Sequence, residues 1–278
     1  MVTKKNVSKL VKDYYKQFSN YEWERLIVNR YQKLEWDTTQ IFLKKYLPKK
    51  GLILDAGAGP GRYTIDLAKR GCDVVLLDFS KENVELAKIK VKAAKQEKKV
   101  KDLIEGTIVD LSKFKNNSFD AVICLGGPLS HVEKKDRQKA VNELIRVAKK
   151  GAPIFVSVMG KYAILIEILR RWPEEIKNDI SFKNLIEYGD DFNFGPDKSV
   201  KSYCHFFTVD ELESLFPKNK IKQLEIVGLE GFTVTQSKEY NTIDKKTKQN
   251  WDKMHKSLCT LKTTADISNH MLIIVKKK

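Results

Sequence analysis

The segment LILDAGAGPGR, Leu52 to Arg62, sets an uninterrupted apolar run against an acid and then places three glycines, Gly57, Gly59 and Gly61, at alternate positions. Glycines so spaced let the backbone turn sharply and approach a ligand with no Cβ in the way. Pro60 stands near the start of the next helix, where a missing N–H costs least. Tyr63, Ile65, Leu67 and Ala68 then supply an apolar helix face that stops at Gly71. Strand, glycine loop and helix N-terminus together make a ligand site at the C-terminal end of a buried parallel strand.

The dinucleotide fingerprint has glycines at its first, third and sixth places, and the sixth place here is Arg62. Asp55, two residues before the first glycine, would repel a pyrophosphate and suits a positively charged amino group. S-adenosylmethionine carries such a group, and its sulfonium adds a second positive charge. A second apolar run, CDVVLL, ends in Asp78, whose carboxylate can accept hydrogen bonds from both hydroxyls of a ribose. Dinucleotide enzymes use the same device, so Asp78 indicates an adenosine-type ligand of either kind.

These groups need a sheet to position them. A third strand around Leu103 to Val109 leads into Asp110 and Leu111, and a fourth, Phe119 to Leu125, follows the turn Asn116, Asn117, Ser118. Four strand ends converge on one crevice, the arrangement of an α/β, doubly wound sheet. The chain reads as one domain. Residues 1–47 form a helical cap with Leu10, Tyr14 and Phe18 at helical spacing and Pro48 as the stop, and residues 48–159 form the cofactor-binding core closing on PIFVSVM. A helical insertion, residues 160–207, opens with KYAILIEILRRW and is expected to cover the crevice as a lid. Residues 208–278 complete the sheet: a helix at 208–216, a strand near 221–229, a helix near 243–260 and the strand HMLIIV.

The stretches LILDAGAGPGRYTIDLAKRG, VVLLDFS, EGTIVDLSKF and FDAVICLGGPLSHV resemble, in order and spacing, the class I S-adenosylmethionine-dependent methyltransferases. The resemblance is specific over residues 50–159. More loosely, the whole chain is similar to a small-molecule-type branch that begins with a Tyr-rich helix like YYKQFSNYEWERL and carries an insertion before a segment like CHFFTVDELESLF. The resemblance implies a seven-stranded Rossmann-like sheet of order 3-2-1-4-5-7-6 with strand 7 antiparallel. It implies S-adenosyl-L-methionine as cofactor and S-adenosyl-L-homocysteine as product. Asp55, with Ala56 beside it, would hold the methionine amino group, directly or through water, and Gly57, Gly59 and Gly61 would pass beneath the methionine and ribose. Asp78 would take the ribose hydroxyls with Phe79 beside the adenine, Asp110 would accept from the adenine amino group, and the Leu111 backbone would meet a ring nitrogen. Leu125 and Gly126 would line the place where the methyl group leaves, and Tyr21 would lie near the cofactor. Many relatives have an acid where Thr107 stands.

The net charge of +16 raises the question of a nucleic-acid partner. Its densest basic run, KIKVKAAKQEKKVK at 88–101, falls at the end of a helix opposite the crevice and is read as a solvated face. The segment 174–197 has the opposite sign, with Glu174, Glu175, Asp179, Glu187, Asp190, Asp191 and Asp197 against Lys177 and Lys183. Such a rim repels phosphate and favours a neutral or cationic small-molecule acceptor. No apolar stretch approaches the roughly 18 residues that span a bilayer, and MVTKKNVSKL lacks the apolar core of a secretory signal, so a cytoplasmic location is expected. Cys72, Cys124, Cys204 and Cys259 show no metal-ligand spacing and are expected as free thiols, with no metal.

The chemistry implied is direct displacement at the methyl carbon, in which alignment supplies much of the acceleration. A base is needed only if the acceptor must lose a proton. His131, Tyr203 and His205 are the candidates. An Asn/Asp-Pro-Pro-Tyr loop is absent after the fourth strand, where the chain reads LGGPLSH, and Cys124 sits inside a strand rather than beside proline. Both absences count against two nucleic-acid routes. An RNA or protein methyltransferase, and a dinucleotide-dependent oxidoreductase or non-catalytic nucleotide-binding module, stand as the alternatives.

Overall fold

The structure is a computed structural model and describes residues 7–194 and 200–278. Gly195 and Asp197, within the acidic segment, and the first six residues lie outside the described residues. Nine strands are described: β1 (Leu52–Ala56), β2 (Asp73–Asp78), β3 (Val100–Glu105), β4 (Ala121–Cys124), β5 (Pro153–Met159), β6 (Asp190–Phe194), β7 (Ser202–His205), β8 (Ile221–Gly228) and β9 (His270–Lys277). Seven form one sheet in the order β3-β2-β1-β4-β5-β9-β8. β1 to β5 are parallel and β9 runs antiparallel between β5 and β8, which reproduces the expected 3-2-1-4-5-7-6 order once the separate β6-β7 pair is set aside.

Side chains alternate across a strand, so a sheet covered on both faces needs apolar residues at every position. Ile53, Val74, Ile123 and Phe155 enter the core on one face, while Leu54, Val75, Val122 and Val156 enter it on the other. That double burial is why LIL, VVLL and AVIC read as continuous apolar runs. The N-terminal region forms α1 (Val7–Arg25) and α2 (Arg30–Tyr46), separated where Asn29 caps α2 by accepting the Gln32 N–H at 2.9 Å. α3 (Arg62–Lys69), α4 (Lys81–Ala93) and α5 (Lys134–Val147) are the sheet's crossovers. α1 packs on α4 and on β7, over the C-terminal ends of the parallel strands.

The insertion departs from the helical reading in one respect. After α6 (Lys161–Arg171), α7 (Pro173–Lys177) and α8 (Asp179–Tyr188), the chain forms the antiparallel pair β6-β7, and Tyr203 and His205 belong to β7. Short segments whose alternate residues serve two different environments carry no run of apolar residues to announce them. α9 (Val209–Ser214), α10 (Ser237–Thr242), α11 (Lys245–Leu258) and α12 (Lys262–Asp266) complete the chain. No helix among the described residues is long and apolar enough to cross a membrane. The four cysteines are free and buried.

Candidate functional site

The glycine loop leaves β1 with φ of +79° at Gly57 and +55° at Gly59, conformations that other residues rarely adopt. Its N–H groups at Gly57 and Ala58 donate to the Leu77 carbonyl at 2.7 and 3.1 Å, which ties the loop to the end of β2. A Cβ on Gly57 would lie 2.5 Å from Pro128, whereas one on Gly59 would meet nothing within 4 Å. Gly57 is therefore required by the fold, and Gly59 faces open space. Gly61 serves packing, since a Cβ there would lie 3.1 Å from Leu76 and 3.3 Å from Ala87.

Asp78 closes the loop. Its carboxylate accepts from Gly59 N–H at 2.7 Å, Ser80 N–H at 2.9 Å and the Asn83 amide at 3.0 Å. Burial raises its pKa against these donors. Asn83 is buried, and its Oδ1 has no hydrogen-bond partner among the described residues. A cavity of about 150 Å³ opens here, lined by Gly57, Gly59, Asp78, Asn83, Thr107 and Leu125 among others. An orphaned acceptor, a carboxylate and a glycine with empty space beside it fit a hydroxyl-bearing ligand such as a ribose. Phe79 and Gly126 also line this cavity.

Several expected contacts fall elsewhere. Asp55 and Ala56 are buried and do not line this cavity; the Thr64 hydroxyl donates to the Asp55 carboxylate at 2.6 Å, and burial pushes that carboxyl up to about 7. Asp110 is turned to solvent and accepts the Ser112 N–H at 3.0 Å. The Leu111 N–H donates to Glu143 at 2.8 Å while its side chain is fully buried, and neither residue lines either of the two cavities. Thr107, Ile108 and Val109 line the cavity in their place. The cause is the register of β3, which begins at Val100 against Val74 and ends at Glu105, so its C-terminal loop comes earlier than the apolar run suggests.

A second cavity, about 580 Å³, adjoins the first, and Tyr15, Glu22, Arg25 and Gly126 line both. Its walls come from α1, α2, α6, α8, β6 and the segment around Glu230, and Tyr21 lines this cavity rather than the smaller one. Arg25 is fixed over Gly126, with a guanidinium nitrogen 3.5 Å from where a Cβ would stand. Its Nε donates to Glu22 at 3.2 Å and its other nitrogens to Glu35. Glu35 lies 3.5 Å from His270 Nδ1, which is 2.7 Å from Glu230. Glu35, Glu230 and His270 bring ligand-type atoms within 4.8 Å of one another, with the Arg25 guanidinium already bound to one of them. These acids raise the His270 pKa against its burial.

Of the catalytic candidates, His131 alone reaches a cavity, the smaller one. Its Nδ1 is 2.7 Å from the Tyr203 carbonyl oxygen, which can only accept, so Nδ1 carries the proton. Nε2 then accepts from the Tyr15 hydroxyl at 3.1 Å. Burial lowers the His131 pKa and raises that of Tyr15 well above the usual value. Tyr203 and His205 are enclosed in another network. The Tyr203 hydroxyl donates to Asp190 at 2.7 Å and accepts from Arg137 at 2.6 Å, and the His205 nitrogens lie 2.8 Å from Asp190 and 2.8 Å from Glu211. Neither lines either cavity. Tyr15, Glu22, Arg25, Glu35, Asn83, Glu230 and His270 were not visible as site residues in the sequence. Only the i,i+3 pairing of Glu22 with Arg25 within YEWERL offered a local cue.

A family profile described as a methyltransferase domain matches residues 53–151. A demethylmenaquinone methyltransferase of Renibacterium salmoninarum is 38% identical over 174 residues, covering 48% of this chain and 69% of the relative. A glycine/sarcosine N-methyltransferase of Parasynechococcus marenigrum is 31% identical over 142 residues, covering 49% of this chain and 47% of the relative. This chain thus spans about half the length of that curated relative. Among solved structures, a SAM-dependent methyltransferase from Methanosarcina mazei superimposes with a TM-score of 0.59 at 21% identity, covering 85% of this chain and 96% of the other, a likeness of fold.

Proposed function

This chain belongs to the class I S-adenosylmethionine-dependent methyltransferases, and from that premise we propose that it transfers the cofactor's methyl group to a small molecule bound in the 580 Å³ cavity. The observation that carries this reading is the meeting of the two cavities at Gly126, with Tyr15, Glu22 and Arg25 common to both. The bound cofactor supplies an already activated methyl group. Asp78 and the Asn83 carbonyl would hold its ribose, the Gly57–Gly59 loop would pass under it, and Thr107 to Val109 with Phe79 would flank the adenine. The buried Asp55 would act on the amino group through the field of its carboxylate. An acceptor proton can pass to the Tyr15 oxygen as the Tyr15 proton passes to His131 Nε2, the atom that geometry leaves with a free lone pair. The insertion supplies the acceptor wall, and a cytoplasmic location belongs to the same reading.

Calorimetric titration with S-adenosylmethionine and with NAD, followed by incubation of metabolite and RNA pools with methyl-labelled cofactor, tests the proposal. Cofactor binding and label in a small molecule are expected. Binding of NAD alone, or label confined to RNA or protein, would refute it.

A further inference from the structure

The larger cavity carries more carboxylate than cation. Glu22, Glu35, Glu167, Glu175, Asp191 and Glu230 line it, against the guanidinium groups of Arg25 and Arg171 and the imidazole of His270. Arg25 serves Glu22 and Glu35 together, Glu167 is held by Arg170 and Arg171, and Glu230 accepts from Ser268 at 2.9 Å and from the His270 N–H at 2.8 Å. Asp191 stands apart. It accepts the Asn193 N–H at 2.8 Å, and among the described residues no cation pairs with it. Burial, with a contribution from the Glu175 charge, pushes its carboxyl up to about 6. Aromatic residues share the cavity wall with it: Tyr31, Trp172, Phe182 and Phe194 line the same space. Ring faces and an unpaired carboxylate are the two surfaces that attract an organic cation.

We propose that the methyl acceptor is an organic amine bound in its cationic form, with its positive group held by Asp191 and the aromatic wall of the larger cavity. This inference rests on the methyltransferase reading and adds the substrate class. Asp191 lines the larger cavity and not the smaller, so it would act on the acceptor and not on the cofactor. Anionic acceptors are disfavoured by the same acids. A neutral isostere loses the attraction while keeping the apolar contacts.

The test is calorimetric titration of the full chain, saturated with S-adenosylhomocysteine, with phenethylamine, tyramine and tryptamine, each beside its alcohol and carboxylate isosteres. The amines should bind at least about tenfold more tightly than their isosteres. D191N should weaken amine binding about five- to tenfold and leave S-adenosylhomocysteine affinity unchanged, which also shows that the variant is folded. Equal affinity for amine and alcohol in all three series, tighter binding of the carboxylates, or insensitivity to D191N would overturn the substrate class. Failure of S-adenosylhomocysteine itself to bind would instead overturn the methyltransferase reading on which it rests.

Discussion

Asp190 and Asp191 are adjacent in β6 and serve opposite sides of it. Asp190 accepts from the Tyr203 hydroxyl at 2.7 Å and from Arg137 at 3.3 Å, with His205 at 2.8 Å, whereas Asp191 faces the larger cavity. The two-residue period of a strand separates an acid paired within the protein from one turned to the cavity. Asp190→Asn should cost about 1 to 3 kcal/mol by weakening the network around the buried Arg137, which keeps the Val132 carbonyl, Tyr203 and Glu211, measured by denaturant unfolding. Asp191→Asn should stay within about 0.5 kcal/mol of the parent. The partners of Asp190 hold its pKa below the usual range. Its contribution is therefore present above the unfolded value near ~3.9 and lost as pH falls through the folded value.

The two ligand-side glycines should separate folding from binding. Gly57→Ala drives a Cβ to 2.5 Å from Pro128 and should lower the melting temperature sharply. Gly59→Ala meets no neighbour and carries only left-handed strain of about 1 to 2 kcal/mol, yet should reduce cofactor affinity more than about tenfold, since the methyl group would occupy the ligand's space. Equal losses of stability in both variants would contradict this division.

Asp78→Ala removes a carboxylate that clamps Gly59, Ser80 and Asn83. Cofactor binding should weaken by about 1 to 3 kcal/mol in calorimetry, with the circular dichroism spectrum preserved.

Cofactor binding should release protons. Burial raises the Asp78 carboxyl and pushes that of Asp55 up to about 7 before the ligand arrives. A sulfonium and an ammonium placed nearby favour both anions, so affinity should rise with pH up to about 7 and then level off. Titration in buffers of different ionisation enthalpy reads the proton count. Proton uptake would contradict the assignment.

Tyr15→Phe removes the hydroxyl that joins the junction to His131 while keeping the ring. Turnover should fall about a hundredfold with cofactor affinity nearly unchanged. His131 must be neutral to accept a proton, and burial holds its pKa below the usual value. The parent rate should therefore fall only on the acid side of the ordinary histidine range.

What the sequence disclosed was local chemistry. Gly57, Gly59 and Asp78 were legible because strand end, loop and acid lie within one continuous segment or at the next strand end. Asp110 and Leu111 were misplaced because β3 starts at Val100, where Lys101 and Asp102 interrupt the apolar pattern that would mark an edge strand's beginning. Tyr203 and His205 looked available because polar residues after an insertion resemble a site, while the Arg137 that donates to Tyr203 comes from a distant helix and His205 is enclosed by Asp190 and Glu211. Of the larger cavity only the acidic insertion, with Glu175 and Asp191, left a signal in the sequence, since Glu22, Glu35, Glu230 and His270 meet only when α1, α2, the turn after β8 and the last strand are folded together.

Helix α1 gives Val7 and Val11 to the smaller cavity, Tyr14 and Tyr21 to the larger, and Tyr15, Glu22 and Arg25 to both. A wall shared by two ligands is a coupling element. Whatever ordering of α1 the first ligand brings about need not be repeated for the second, so cofactor and acceptor should each tighten the other by the same factor, as thermodynamic reciprocity requires. The sequence of arrival then becomes a property of one helix, and amide exchange along α1, slowest in the ternary complex, is where that cooperativity would be read.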